Sequence, residues 1–307
     1  MDESALPIAL FIDRTFAPDA FAEALAGEVA VRVEVSAGER DRVAALVTAS
    51  VPVGAAEVEP YPQLALVLSC STGVDHLDLA ELCRRELIAA HTPTYCSDEV
   101  ADHALACVLG GWRGLWRLGD DTRSGGWDEG AMLRRFDAQR LGVIGLGRIG
   151  VRLARRARAL GIDVVGHDPV AAPVDVPVIG LDELLATADA VSLHVPGRPG
   201  APPILGAAQI AAMKPGAVLV NVSRASLVDL DAVVAALGSG GLSAAAWDVW
   251  PQEPPAAGDP RLQTPGLLVT PHIAWASPEA DAAGIREGVD ALRDVLVHGR
   301  APATVVG

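Results

Sequence analysis

The sequence predicts an α/β protein built from two doubly wound parallel-sheet domains. Three observations carry this prediction. Short apolar runs alternate with amphipathic, alanine-rich segments along the 307 residues, which is the βαβ rhythm of a parallel sheet covered on both faces. A glycine motif, GLGRIG at 145–150, stands between one such run and one such segment. The chain is also long for a single domain and comfortable for two.

Taken in order, PIALFID (7–13), AALVTAS (44–50) and LALVLSC (64–70) read as buried strands of a first series, with helical segments between them. From Ser97 to about Leu118, apolar residues at helical spacing (Val100, Ala104, Cys107) predict one long helix. Ser97 is its N-cap, Asp98 and Glu99 lie in its first turn, and Gly110 and Gly111 are points where it can bend. A polar, glycine-rich stretch, DDTRSGGWDEG (120–130), leads to a second series. Its strands read LGVIG (141–145), DVVGHD (163–168), AVSLHV (190–195), AVLVNVS (217–223), SAAAWDV (243–249) and GLLVT (266–270). A last helical stretch and a short tail follow Ala276.

Composition narrows the function. Half of the residues are hydrophobic and 21% are charged, as in ordinary soluble proteins. A formal charge of −15 argues against nucleic acid or an anionic membrane as partner. It leaves room for a small anionic substrate, because a local cluster can override the global sign. The four cysteines, Cys70, Cys83, Cys96 and Cys107, form no C-x-x-C pair, so neither a zinc site nor a redox motif is expected, and no metal. The N-terminal stretch MDESALPIALFIDR has no basic region, and no run reaches the ~18 apolar residues of a membrane helix. The expectation is a cytoplasmic protein.

A bare G-x-G-x-x-G is a weak signal, but here a strand precedes it and the helical VRLARRARAL follows. In that context Gly145 makes the turn, Gly147 lets the backbone approach a pyrophosphate, and Gly150 lets helix pack on strand. Asp168, eighteen residues past Gly150 at the end of the next strand, suits the 2′-hydroxyl of an adenosine ribose. No arginine follows it in PVAAPVDV (169–176), which favours NAD over NADP.

Open α/β sheets bind ligands outside the carboxyl ends of their strands. Three residues stand there: Arg224 after AVLVNVS, Glu253 after SAAAWDV, and His272 after GLLVT. An arginine offers a planar fork of donors for a carboxylate or carbonyl. A histidine exchanges a proton near neutral pH. A glutamate beside it holds the ring and favours its protonated form. Each alone is more often a surface or structural residue; three at the strand ends of one nucleotide-binding sheet form a candidate catalytic set.

At these residues the sequence resembles the D-isomer-specific 2-hydroxyacid dehydrogenases, over nearly its whole length. The matching segments are STGVDHLD (71–78), YCSDEVADHALA (95–106), LGVIGLGRIG with HDP, MKPGAVLVNVSRASLVD (213–229), WDVWPQEPP (247–255) and TPHIAWAS (270–277). The resemblance implies a Rossmann cofactor domain at 98–279 and a flavodoxin-like substrate domain formed by 1–97 with 280–307. It implies that Arg224 binds the substrate's carboxylate and carbonyl, that His272 is the acid/base and that Glu253 is its partner. The backbone around Ser71, Gly73 and Val74 would cradle the substrate carboxylate. Thr72, Arg148, Ile149, Val195, Val222 and Ser223 would lie at the cofactor, and Asp248 would hold the nicotinamide carboxamide. Ser50, Val51 and Trp275 would read the substrate's side chain. A homodimer is the family habit.

Among subfamilies the sequence is most similar to the glycerate dehydrogenases, which reduce hydroxypyruvate and glyoxylate with NADH. The alternatives are a phosphoglycerate- or phosphonate-type enzyme of a biosynthetic pathway and, in a different class, a non-catalytic NAD-sensing scaffold like the superfamily's corepressors. Two departures stand out. Ala225 follows Arg224 where the family usually has glycine, and Gly197-Arg198 follow HVP where it usually has Leu-Thr. Arg198 adds a positive charge that bears on the choice between NAD and NADP.

Overall fold

The computed structural model describes residues 5–13, 17–170, 175–198 and 200–306. Of the stretches read above, Met1–Ser4 and Arg14 at the N-terminus and Ala171–Val174 of PVAAPVDV lie outside the described residues. The chain divides into two compact units, Met1–Cys96 with Ala276–Gly307, and Ser97–Trp275.

The first unit holds five parallel strands, β1 (Ile8–Phe11), β2 (Ala30–Arg32), β3 (Val43–Thr48), β4 (Leu66–Ser69) and β5 (Ile88–His91), in the order β2-β1-β3-β4-β5. This is the flavodoxin-like order, whose direction reverses between β1 and β3. Helices α1 (Pro18–Ala24), α2 (Ala55–Val58) and α3 (Leu79–Arg84) and the C-terminal helix Pro278–Leu296 complete it. Ile8, Leu10, Leu46 and Val67 lie in its core. The tail pairs antiparallel with β5: the His91 amide donates to Thr304 O at 3.1 Å and the Val306 amide to Ala89 O at 2.9 Å.

The second unit begins with α4 (Ser97–Trp112) and α5 (Leu115–Arg123). Its six parallel strands are β6 (Arg140–Ile144), β7 (Asp163–His167), β8 (Ala190–Leu193), β9 (Ala217–Asn221), β10 (Leu242–Trp247) and β11 (Leu267–Val269), ordered β11-β10-β9-β8-β6-β7. Helices α6 (Arg148–Ala159), α7 (Leu181–Thr187), α8 (Ala207–Ala211) and α9 (Leu230–Ser239) connect them. Outside β7 a single parallel bridge joins Gly166 to Val178. With that bridge counted as a vestigial strand, the order is that of a Rossmann sheet, and its switch point falls between β6 and β8. Leu184, Val191, Leu219, Ala245 and Trp247 form the heart of the core.

The structure corrects the sequence reading in two places. Strands β2 and β5 are additional to the apolar runs, because AVR and IAAH are too short and too mixed to stand out. The long helix expected to reach Leu118 stops at Trp112, and α5 starts three residues later. The break is at Gly114, whose φ of +59° cannot continue a right-handed helix. Gly110 and Gly111 stay helical and buried. They are glycines for room: a Cβ at 111 would sit 2.7 Å from Val218 Cγ1.

At the amino end of the second sheet, Asp189 is 4% exposed and accepts from Lys214 Nζ at 2.6 Å, Arg134 Nη1 at 2.9 Å and the Arg140 amide at 2.9 Å. Burial would raise its carboxyl, but the Lys214 and Arg140 hydrogen bonds and the Lys214 and Arg134 charges outweigh it and hold the group below the usual carboxylate range. No helix among the described residues is long and apolar enough to cross a membrane.

Candidate active site

The glycine loop sits at the switch point of the second sheet, where the His194 amide donates to Ile144 O at 2.7 Å. Each glycine has its own reason. Gly145 has φ +93°, and a Cβ there would strike the His194 carbonyl. Gly150 lies in α6, and a Cβ there would collide with the Gly145 carbonyl. Gly147, the N-cap of α6, would point a Cβ into open space. A backbone exposed in this way, followed by the unpaired amides of a helix start, fits a dinucleotide's pyrophosphate. Arg148 is exposed and Ile149 half-buried in the first turn of α6. Asp168 directly follows β7, and its Oδ2 accepts from the Leu146 amide at 2.9 Å while Oδ1 accepts from the Val170 amide at 3.0 Å. The aspartate therefore holds the loop's shape, and each oxygen keeps one acceptor site for a ligand hydroxyl.

After β9, Asn221 is fully buried and shapes the arginine segment. Its Oδ1 accepts from the Ser223 amide at 3.1 Å and its Nδ2 donates to Arg224 O at 2.9 Å. The Ser223 hydroxyl donates to Leu193 O at 2.7 Å. Val222 is buried, Val195 is half-buried after β8, and Arg198 is exposed further along the same loop. Ala225 opens a short 3-10 turn, Ala225–Leu227.

Glu253 and His272 meet. His272 Nδ1 lies 2.7 Å from Glu253 Oε2, while Glu253 Oε1 accepts from the Trp250 amide at 2.7 Å. Burial would raise the Glu253 carboxyl, but the His272 and Trp250 hydrogen bonds, with the charges of His272 and Arg224, outweigh it and hold it below the usual range. An ionised carboxylate only accepts, so Nδ1 carries the proton of this bond and Nε2 is the ring atom left for proton exchange.

The histidine turn is itself held by a buried carboxylate. Asp248, 3% exposed just past β10, accepts at Oδ1 from the Thr270 hydroxyl at 2.6 Å and the Ile273 amide at 2.9 Å, and at Oδ2 from the Ala274 amide at 2.9 Å. Its carbonyl accepts from the His272 amide at 2.8 Å. These bonds secure His272 at φ +51°, in the left-handed region that side chains disfavour. One acceptor site on Oδ2 remains for an outside donor. Trp275 follows the turn and is half-buried.

In the first unit the loop after β4 turns its carbonyls inward. The Ser71 hydroxyl donates to Gly73 O at 2.7 Å, and His91 Nδ1 bonds Thr72 O at 3.0 Å. No described residue accepts from the amides of Ser71, Thr72, Gly73 or Val74, so that face of the loop is free to bind an anion. The loop after β3 is fixed by Asp13 at the end of β1, whose Oδ2 accepts from the Thr48 hydroxyl at 3.0 Å, Ala49 N at 2.6 Å and Ser50 N at 3.1 Å. Ser50 is exposed and Val51 half-buried beside it. Asp13, Asn221 and His103, whose Nε2 lies 3.3 Å from Thr270 Oγ1, were not among the residues expected at the site. Each is a single polar residue whose partner is distant in sequence or hidden in an apolar run.

The sequence profile of the D-isomer specific 2-hydroxyacid dehydrogenase NAD binding domain matches residues 105–274, more than half of the chain. The chain belongs to that family. It is therefore an oxidoreductase of 2-hydroxy acids that works with a nicotinamide dinucleotide. This D-2-hydroxyacid dehydrogenase is 34% identical over 239 residues to a glycerate dehydrogenase of Methylorubrum extorquens, covering 75% of each chain. It is 32% identical over 305 residues to a D-3-phosphoglycerate dehydrogenase of Mycobacterium bovis, covering 95% of itself and 56% of that protein. The dehydrogenase thus spans about half the length of that second relative. Among solved structures, an NADPH-dependent glyoxylate/hydroxypyruvate reductase from Sinorhizobium meliloti, in complex with NADP and malonate, superposes with a TM-score of 0.84 at 29% identity, over 98% of this chain and 97% of that one.

Proposed function

We propose that the protein is an NADH-dependent reductase of small 2-ketoacids, with hydroxypyruvate and glyoxylate as its first candidates. The observation that carries this reading is the 2.7 Å bond between His272 Nδ1 and Glu253, which leaves Nε2 as the proton-exchanging atom. In the proposed reaction His272 Nε2 gives its proton to the ketone oxygen as the carbon is reduced. When bound, the nicotinamide supplies the hydride. Arg224 pairs its fork with the carboxylate and carbonyl oxygens, and so steadies both the ketoacid and the developing alkoxide. Glu253 keeps the ring oriented through its bond to Nδ1.

We assign the dinucleotide to the Ser97–Trp275 unit, with Gly145, Gly147, Arg148, Ile149 and Gly150 at the pyrophosphate, Asp168 at the adenosine ribose, and Val195, Val222, Ser223 and Asp248 toward the nicotinamide. The free amides of Ser71–Val74 suit a substrate carboxylate, Thr72 is assigned to the cofactor, and Ser50, Val51 and Trp275 to the substrate's side chain. NADH is preferred because Asp168 would repel a 2′-phosphate. The NADPH-dependent relative and the exposed Arg198 make that preference worth measuring. A homodimer is supported by Trp127 and Met132, 75% and 96% exposed in the segment after α5. Four free cysteines suit the reducing cytoplasm.

The test is steady-state kinetics with hydroxypyruvate, glyoxylate and 3-phosphohydroxypyruvate, each with NADH and NADPH. Turnover of an unphosphorylated ketoacid with NADH supports the proposal. Preference for the phosphorylated substrate would move the protein to the phosphoglycerate branch, and no turnover of any ketoacid would sink it. Arg224→Gln is expected to raise KM and lower kcat together, since the fork acts in both the ground and transition states.

A further inference from the structure

His272 can act only if its turn is held, and the hydrogen bonds that hold it extend one residue further than the buried aspartate. The Thr270 hydroxyl has one proton, and it lies 2.6 Å from Asp248 Oδ1, an acceptor only. That proton is therefore committed to Asp248. Thr270 Oγ1 must then be the acceptor in its 3.3 Å contact with His103 Nε2. This fixes the imidazole as the tautomer protonated at Nε2, and a directed chain runs from His103 through Thr270 to Asp248.

His103 lies in the second turn of α4, a long helix packed against β9 and β10. Ion pairs tie the same helix to α6: Arg156 reaches Asp98 at 2.6 Å and Asp102 at 2.7 Å. The anchor is thus a rigid element, while the group it steadies is the loop carrying His272. The turn has reason to need it, because His272 sits at φ +51°, in the left-handed region that a side-chain-bearing residue disfavours.

We propose that His103 is a positioning residue for the reaction, one that donates to Thr270 and so orients Asp248 and the His272 turn, without touching substrate or cofactor. The inference rests on His272 as the proton donor. Removing the donor would let the turn shift by a fraction of an ångström, which matters for proton transfer more than for binding.

The experiment is a double-mutant cycle read in kcat and KM for hydroxypyruvate reduction, with thermal melting as a check on folding. His103→Phe is expected to lower kcat about tenfold, with KM for ketoacid and NADH within about twofold. His103→Gln, whose amide nitrogen reaches nearly as far as Nε2, should restore most of that loss. Thr270→Val should lower kcat too, and His103→Phe added to it should cost little more, because the chain is already cut. A wild-type kcat in His103→Phe would overturn the proposal. So would equal losses in the Phe and Gln variants, or losses that multiply in the double variant. His272→Asn, run alongside, separates the two ideas. If it retains full turnover, the role of His272 has failed; if it is inactive while His103→Phe is normal, only the role of His103 has.

Discussion

Two nearly buried aspartates sit at opposite ends of the second unit's sheet, and they are satisfied in opposite ways. Asp189, at the amino end of β8, is met by two cations and one amide. Asp248, past the carboxyl end of β10, is met by one hydroxyl and two amides, and by no cation among the described residues. The first arrangement cancels charge and ties distant segments together; its natural reading is stability. The second leaves a negative charge in place, spends it on the backbone of one turn, and keeps an acceptor site open. The difference shows how one residue type serves the closed end of a parallel sheet as a brace and the open end as a scaffold for chemistry.

The largest expected effect lies at the open end. His272→Ala should lower kcat by about 10²–10⁴-fold, the usual worth of a positioned acid/base. NADH affinity, measured by fluorescence titration, should change by less than about twofold. A similar loss of NADH binding would mean that the turn had collapsed rather than lost its proton donor.

At the closed end the signature is inverted. Asp189→Asn should cost roughly 2 kcal/mol of stability, as the loss of charge-assisted hydrogen bonds does, while kcat per folded molecule stays near that of the wild type. The pH dependence follows from the sign of the shift. Asp189 is held below its ordinary value in the fold, so its contribution is full above the unfolded value of about 3.9 and is lost as pH falls through the lower folded value. Wild type and variant should therefore converge in denaturant midpoint as pH falls below about 4.

Glu253→Gln should be milder, about tenfold in kcat. Its clearer mark is in how the loss divides. Without the carboxylate, Nδ1 loses the ionised acceptor that orients the ring, so kcat should fall while KM for ketoacid and NADH stays within about twofold. An unchanged kcat would remove the Glu253–His272 pairing from the mechanism. Smallest is a labelling effect. Burial, with the charge of Asp248, pushes the Cys107 thiol up to about 12, so in a Cys83→Ser background it should resist alkylation at pH 7.5. Labelling that speeds up in Asp248→Ala and not in Asp189→Asn would show that only the open end guards it.

The contrast between the two ends also marks what could be read from sequence. Strands β1, β3 and β4 and the six of the second sheet are apolar runs, and periodicity finds such runs directly. Strand β2, three residues long, and β5, with two alanines and a histidine, acquire their identity from neighbours they pair with. Gly114 ends α4 although Gly110 and Gly111 looked the better breaks, because a glycine's role depends on whether the chain needs a positive φ or needs space. Arg224, Glu253 and His272 stand out because each follows a strand end. Asn221 is masked by the apolar run AVLVN that holds it, and Asp13 and His103 take their meaning from distant partners, such as Thr270, 167 residues from His103. Spacing along the chain carries no information about those bonds.

The antiparallel seam between the tail and β5 has a consequence for solubility. IAAH is an edge strand with a free row of donors and acceptors, and such an edge recruits any other extended chain, including a second copy of itself. Thr304 and Val306 occupy that row. The tail thus works as a selvedge, a finished border that stops the sheet from being extended, and a variant lacking residues 303–307 would be expected to self-associate while the turn that carries His272, built in the other unit, stayed intact.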